Sequence, residues 1–121
     1  MQLPMKILVV DDEKLIRRSL QKAAQKKGHL VEVAEDGKIG LKIWKEFQPD
    51  LVFLDVLMPE MDGPTLLQMR PLEPAAKVIL MSAFTGKYDS DKAQKMGADL
   101  FIPKPFEDIN EVIQVAENLI K

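Results

Sequence analysis

Five short apolar segments recur along the chain, each followed by a segment with a different, helical period. The apolar segments are MKILVV (5–10), LVEVA (30–34), LVFLD (51–55), KVILMS (77–82) and DLFIP (99–103). Four of them are almost continuously apolar, which is typical of strands covered on both faces, whereas LVEVA alternates like an edge strand. The pattern therefore predicts a parallel sheet with one exposed edge.

The segments between the strands repeat apolar residues every three to four positions, which predicts helices packed on the sheet. The expected helices are 14–27, 38–47, two turns between Pro64 and Pro71, a loosely held helix 87–96, and 109–120. The residues expected to face the sheet from the first two and the fourth are Leu15, Ile16, Leu20, Ala23, Ala24, Ile39, Ile43, Phe47, Tyr88, Ala93 and Met96. Since parallel strands need right-handed crossovers, this alternation predicts an α/β fold with a doubly wound five-stranded parallel sheet.

Composition narrows the class of protein. The chain has 121 residues, 46% of them hydrophobic and 30% charged, which fits a single domain over 1–121. The net charge of -2 disfavours direct binding of nucleic acid. No apolar run approaches the ~20 residues of a membrane span, and there is no cysteine. We expect a cytoplasmic protein without disulfides or thiolate metal sites.

Polar groups follow four of the five predicted strands. The first strand delivers the acidic run 11–13, the third Asp55, the fourth Ser82 and the fifth Lys104. Because ligands of such sheets bind at the carboxyl ends of the strands, these side chains are expected to share one edge. Crowded carboxylates either raise a pKa or recruit a cation, and an all-oxygen set favours Mg²⁺.

This arrangement of residue types fits phosphoryl transfer to a carboxylate. Asp55 could act as the nucleophile toward a phosphoryl group, since an aspartyl phosphate needs cations and donors around its oxygens. Mg²⁺, the Lys104 ammonium and the Ser82 hydroxyl would each neutralise or hydrogen-bond one oxygen.

Four motifs in order resemble the receiver domain of bacterial two-component response regulators. They are VVDDE at the first strand end, LVFLDVLMPEMDG around Asp55, VILMSA, and KPF at 104–106. The resemblance covers essentially the whole chain and implies the CheY-like (βα)5 fold with strand order 2-1-3-4-5. It implies a cis peptide bond before Pro105.

The resemblance also assigns roles to single residues. Asp55 would be the phospho-acceptor, with Ser82 and Lys104 as catalytic phosphate contacts. Asp12, Asp55 and the Leu57 carbonyl would ligate Mg²⁺, with Asp11 acting through water. Further phosphate contacts would come from Val56 and Ala83.

For the family's signalling switch, the resemblance implies that Ser82 moves toward the phosphoryl group and Phe101 turns into the vacated space. The face of the fourth helix, fifth strand and fifth helix would then change for an effector protein. The expected phosphoryl donor is a sensor histidine kinase or phosphotransfer protein, and a phosphorylation-dependent dimer is allowed. Apolar Leu57 and Phe84 imply slow self-hydrolysis, so no enzymatic activity beyond the chain's own phosphotransfer and dephosphorylation is expected.

Alternative interpretations stay open at several positions. Glu13 could be only a polar helix start, Phe101 only core packing, and His29 is interpreted as an incidental turn residue. For the whole chain, the alternatives are a haloacid-dehalogenase-like phosphatase and a pseudo-receiver that works without phosphorylation. The phosphatase pattern places a second Asp two residues after the nucleophile, where this chain has Glu13 after Asp11.

Overall fold

A computed structural model describes residues 4–83 and 89–120, which form five strands and five helices in strict alternation. The strands are β1 (Lys6–Val10), β2 (Leu30–Ala34), β3 (Leu51–Asp55), β4 (Lys77–Ser82) and β5 (Leu100–Pro103). The helices are α1 (Lys14–Lys26), α2 (Gly37–Phe47), α3 (Gly63–Met69), α4 (Ser90–Lys95) and α5 (Ile109–Ile120).

The sheet is parallel throughout, with strand order β2-β1-β3-β4-β5. The predicted fold class, strand order and edge position of β2 are confirmed. The order reverses next to β1, so the carboxyl ends of β1 and β3 flank the position where ligands of doubly wound sheets bind.

Both faces of the sheet are buried, which explains the continuous apolar runs. Successive side chains of a strand point to opposite faces, so Ile7 and Val9 pack in one cluster with residues of α1 and α5. Leu8 and Val10 pack in a second cluster with residues of α2 and α3. Two apolar layers therefore hold the strand ends in fixed register.

Two predicted helix faces need correction. Leu15 is 76% exposed, because Leu20, Ala23 and Ala24 form the buried stripe of α1 and Leu15 lies outside it. Ile39 is 39% exposed.

In α2 the fully buried residues are Gly37, Gly40 and Trp44, while the predicted Ile43 is partly buried against the same apolar cluster. Gly40 allows this close packing, since a Cβ there would lie 2.9 Å from the Val10 side chain. The sequence pattern could not choose between the two faces, because residues three to four positions apart recur on both.

The third helix is short, as expected, and α4 (Ser90–Lys95) is shorter than the predicted 87–96. Asp89 is its N-cap and accepts a hydrogen bond from the Lys92 N–H at 2.9 Å, so the helix starts at Ser90 rather than at residue 87. Ala93 is fully buried and Met96 packs against the same cluster. Tyr88 lies outside the described residues.

His29, interpreted from sequence as incidental, is buried and bonded. Its Nδ1 accepts a hydrogen bond from the Met5 N–H at 3.1 Å, and its Nε2 lies 2.7 Å from Glu117 of α5. The prediction that His29 lies away from the candidate site is correct, but the sequence did not predict the structural role of its side chain. Among the described residues, no helix has the length and apolar content needed to cross a membrane.

Candidate functional site

The turn after β1 is fixed by hydrogen bonds around Asp11. The Asp11 N–H donates to the Ala34 carbonyl at 3.1 Å, and Oδ1 of Asp11 accepts from the Glu13 N–H at 2.9 Å. The Arg17 guanidinium donates to the Asp11 carbonyl at 2.8 Å. As a result Asp11 is fully buried beneath the sheet edge, whereas Asp12 and Glu13 are exposed.

Asp55 is the last residue of β3 and is only 6% exposed. The loop after it closes where the Gly63 N–H donates to the Val56 carbonyl at 2.8 Å. A Cβ at Gly63 would overlap the Asp55 carbonyl oxygen, so only glycine lets α3 begin this close to the strand. The backbone therefore holds the Asp55 side chain in a defined place.

Lys104 reaches into the site from the end of β5. Its N–H donates to the Ser82 carbonyl at 2.9 Å, and its peptide bond to Pro105 is cis, as the resemblance implied. The Lys104 Nζ lies 2.7 Å from Asp11 Oδ2 and 3.2 Å from Asp55 Oδ1. Its side chain is 7% exposed, so the ammonium is largely shielded from water.

These elements enclose an open cavity of about 300 Å³ at the carboxyl edge of the sheet. The residues that line it are Asp12, Glu13, Asp55, Leu57, Ser82, Ala83 and Lys104. The predicted convergence of distant side chains on one edge is thus present. The cavity is polar at its base and has room for a small anionic group.

The carboxylates at the base lie close enough to perturb one another. Burial, together with the neighbouring charge of Asp11, raises the pKa of Asp55 to about 7 despite the opposing effect of Lys104. Burial also raises the pKa of Asp11. For Lys104, burial alone would lower the pKa, but its contacts with Asp11 and other carboxylates raise it, so the ammonium is firmly charged.

Three acidic side chains could together hold a metal ion. One carboxylate oxygen from each of Asp11, Asp12 and Asp55 lies within 4.8 Å of the other two. Oδ1 of Asp11 accepts a hydrogen bond from the Glu13 N–H, and the buried Oδ2 lies 2.7 Å from the Lys104 Nζ without receiving a hydrogen bond from the described residues. Asp12 and Asp55 are therefore the better placed of the three for direct ligation.

Two other predicted site residues, Val56 and Phe101, do not line this cavity. The Val56 N–H donates to the Met81 carbonyl at 3.1 Å, so in this structure that amide is engaged in the sheet rather than directed at the cavity. Phe101 is half-buried and packs against the apolar cluster on the α2 and α3 face of the sheet. Phe84 lies outside the described residues.

Glu13 is the residue whose contact the sequence did not predict. It was interpreted as either a polar helix start or a member of the acidic group, and its Oε1 lies 3.0 Å from the Lys104 Nζ. The sequence placed Glu13 and Lys104 at the same edge of the sheet, but which of the acidic side chains touch the lysine depends on tertiary packing.

Residues 7–117 match the model of the response regulator receiver domain. The chain belongs to this family. The receiver domain is 37% identical over 117 residues to the regulatory protein AtoC of Escherichia coli K12, covering 94% of this chain and 25% of AtoC. The chain thus spans well under two thirds of the length of such curated relatives.

Solved structures of receiver domains have the same fold. The receiver domain of NtrX from Brucella abortus aligns with a TM-score of 0.83 at 33% identity, covering 94% of this chain and 97% of that one. CheY in the CheX–CheY–BeF3–Mg²⁺ complex from Borrelia burgdorferi aligns with a TM-score of 0.86 at 30% identity, covering 98% and 90%. These comparisons give no support to the phosphatase alternative.

Proposed function

We propose that this receiver domain accepts a phosphoryl group on Asp55 and thereby switches a protein-interaction surface. The observation that carries the proposal is the convergence of Asp12, Asp55, Ser82 and Lys104, from four different strand ends, on one cavity. A structural sheet edge would have no need to bury a lysine against two aspartates at 2.7 and 3.2 Å.

Mg²⁺ is the cation that this set of side chains fits. The available groups are carboxylate oxygens at an open cavity, which suits a hard divalent ion that keeps several waters. Asp12 and Asp55 would hold it together with the Leu57 carbonyl, and Asp11 would act through water. The related CheY from Borrelia burgdorferi was solved with BeF3 and Mg²⁺. A bound cation would neutralise the crowded carboxylates and the oxygens of a phosphoryl group.

The proposed reaction is the attack of one Asp55 carboxylate oxygen on phosphorus. The bond from phosphorus to the donor's imidazole nitrogen breaks as the bond to Asp55 forms, and the donor, whose other ring nitrogen carries a proton, leaves as a neutral histidine. The attacking group must be ionised, and the raised pKa of about 7 makes this incomplete near neutral pH in the metal-free protein. A divalent cation beside Asp55 would favour the ionised form.

After transfer, Lys104 and Ser82 would contact two oxygens of the phosphoryl group, and Ala83 would line the remaining wall. Lys104 already stands beside the Asp55 oxygen, so it needs little movement. Ser82 is 2% exposed and lies at the end of β4 beside β5, where a small displacement can be passed to Phe101. Movement of these two residues is the proposed switch.

The proposed partners are a histidine kinase or phosphotransfer protein as donor and an effector protein as target. An apolar groove of about 440 Å³ runs between β5 and α5, and Phe101 is part of its wall. This groove belongs to the surface formed by α4, β5 and α5, which we propose as the effector-binding face. The cytoplasmic location and a dimer formed on phosphorylation stay predictions.

The decisive experiment compares the wild type with Asp55→Asn in the presence of Mg²⁺ and acetyl phosphate. Intact-mass measurement under mild conditions should show one added phosphoryl group on the wild type and none on Asp55→Asn. As a matched control, Asp50→Asn changes an aspartate at the opposite end of β3, whose carboxylate instead accepts from the Lys6 N–H at 2.8 Å.

Equal labelling of wild type and Asp55→Asn would reject Asp55 as the acceptor. No labelling of any variant, together with no effect of Mg²⁺ or beryllofluoride on the amide NMR spectrum, would favour the pseudo-receiver alternative. Sustained hydrolysis of a phosphomonoester would favour the phosphatase alternative.

A further inference from the structure

The Lys104 ammonium makes three contacts with carboxylates. Its Nζ lies 2.7 Å from Asp11, 3.0 Å from Glu13 and 3.2 Å from Asp55. Among the described residues, the contact with Glu13 Oε1 is a hydrogen bond, whereas the buried Asp11 Oδ2 receives no hydrogen bond and is held by the charge of the ammonium. As long as this hydrogen bond persists, the N–H that Glu13 accepts is not available to a further oxygen.

The three contacts differ in how easily they can be given up. The Asp11 side chain is fully buried and the Asp55 side chain is 8% exposed, whereas the Glu13 side chain is 61% exposed. Water can replace Lys104 at an exposed carboxylate at little cost, but not at a buried one. Glu13 is therefore the acceptor that can leave most readily.

Within residues 4–83 and 89–120, the Glu13 side chain makes no other hydrogen bond or ion pair. It stands at the N-cap of α1 but makes no capping hydrogen bond. Backbone groups of Glu13 hold the turn instead. The Glu13 N–H donates to Asp11 Oδ1 at 2.9 Å, and the Glu13 carbonyl accepts from the Arg17 N–H at 3.1 Å. Changing the side chain should leave the turn intact.

We propose that Glu13 is a positioning residue that holds one N–H of Lys104 in the unphosphorylated receiver domain and must release it to the incoming phosphoryl group. This inference rests on the proposed function of the site. Glu13 and the phosphoryl oxygens compete for the same donor, so Glu13 weakens binding of the phosphoryl group and favours the resting state. Removing the Glu13 carboxylate therefore strengthens the site's hold on a phosphoryl group.

The test measures the affinity for beryllofluoride at saturating Mg²⁺, followed by ¹⁹F NMR. Glu13→Ala should bind about 3- to 10-fold more tightly than wild type, the range expected when one typical competing hydrogen bond is removed. Glu13→Asp keeps the charge but withdraws the carboxylate by one methylene, so it should show part of the gain. Wild-type affinity in Glu13→Ala, or a gain in Glu13→Ala with none in Glu13→Asp, would overturn the proposal.

Glu35→Ala is the matched control for overall charge. Glu35 is an exposed glutamate directly after β2, at the same edge of the sheet. Its removal changes the net charge as Glu13→Ala does and should change beryllofluoride affinity by less than about twofold, because exposed charges at a distance are screened. An equal gain in both variants would show a general field effect and overturn the proposal.

Mg²⁺ affinity, measured without beryllofluoride, separates positioning from ligation. Glu13→Ala should bind Mg²⁺ within about twofold of wild type, because its target is the lysine and not the ion. A loss of tenfold would place Glu13 among the ion's ligands and overturn the proposal. Asp55→Asn distinguishes failure of the proposed function from failure of this inference. If Asp55→Asn binds beryllofluoride like wild type, the proposed function fails. A null result for the Glu13 variants alone overturns only this inference.

Discussion

The Nε2 atom of His29 lies 2.7 Å from Oε2 of Glu117, so the turn after α1 is tied to α5 by a buried pair. Because Nδ1 of His29 accepts from the Met5 N–H, the neutral ring carries its proton on Nε2 and donates it to Glu117. The Lys27 ammonium contacts the other Glu117 oxygen at 3.1 Å. Three segments distant in sequence are thereby held together on the side of the domain that carries α1 and α5.

Glu117→Gln should destabilise the domain in a pH-dependent way. Burial alone would raise the pKa of Glu117, but its hydrogen bonds from His29 and Lys27 lower it below 4.5. The ionised Glu117 carboxylate therefore contributes stability above pH 4.5, and this contribution is lost as the pH falls through the lowered folded-state pKa. Urea unfolding should show a loss of about 1–3 kcal/mol at pH 7 that shrinks below pH 4.5.

Glu111→Gln is the control for this experiment, since Glu111 is an exposed glutamate on the same helix. It should change the free energy of unfolding by less than about 0.5 kcal/mol. A loss in Glu117→Gln that stays constant from pH 7 to below pH 4 would contradict the role of the ionised Glu117 carboxylate.

Asp55→Asn should stabilise the metal-free domain at neutral pH. The pKa of Asp55 rises from 3.8 to about 7 on folding, so keeping it ionised in the native state is unfavourable. This penalty is absent below pH 3.8, grows between there and pH 7, and is full above pH 7. Thermal unfolding at pH 8 without Mg²⁺ should show a midpoint at least about 4 °C higher than wild type.

Two observations check the cause of this stabilisation. The advantage of Asp55→Asn should fade as the pH approaches 4, and it should shrink when Mg²⁺ is added, because the ion stabilises only a protein that binds it. An advantage that is the same at pH 4 and pH 8 would rule out relief of charge as its source.

Gly63→Ala should disturb the candidate site through the backbone of Asp55, against which Gly63 packs. The added Cβ would overlap the Asp55 carbonyl oxygen and would lie 3.0 Å from the Val56 Cα, and backbone atoms cannot move aside as a flexible side chain can. We expect a loss of about 1–3 kcal/mol in the free energy of unfolding. Mg²⁺ affinity, measured by calorimetry, should also fall. Gln68→Ala, at an exposed position of the same helix, should change neither quantity, and equal effects of both variants would contradict this prediction.

The phosphorylated domain should lose its phosphoryl group slowly. Leu57, two residues after Asp55, is 49% exposed and lines the cavity, where its apolar side chain cannot hydrogen-bond an attacking water. Leu57→Asn should shorten the half-life, since an amide can position that water. Gel separation of the two forms after removal of acetyl phosphate measures both rates. A wild-type half-life of only seconds would contradict the prediction.

The sequence alone determined the order and type of the elements, because two-sided burial makes parallel strands apolar throughout and helix faces repeat with their own period. It also placed Asp55, Ser82 and Lys104 at strand ends, where the topology of a parallel sheet brings them to one edge. Both follow from local chain chemistry and connection rules, which a sequence carries directly.

Only the tertiary structure decided which contacts are made at that edge and around it. Glu13 meets Lys104, and His29 meets Glu117, across 91 and 88 residues of chain. The same holds for the stripe of α2 that packs inward, because Gly40 fits against Val10 and brings Trp44 with it. These outcomes depend on side-chain packing between distant segments, and a linear pattern allows several of them equally well.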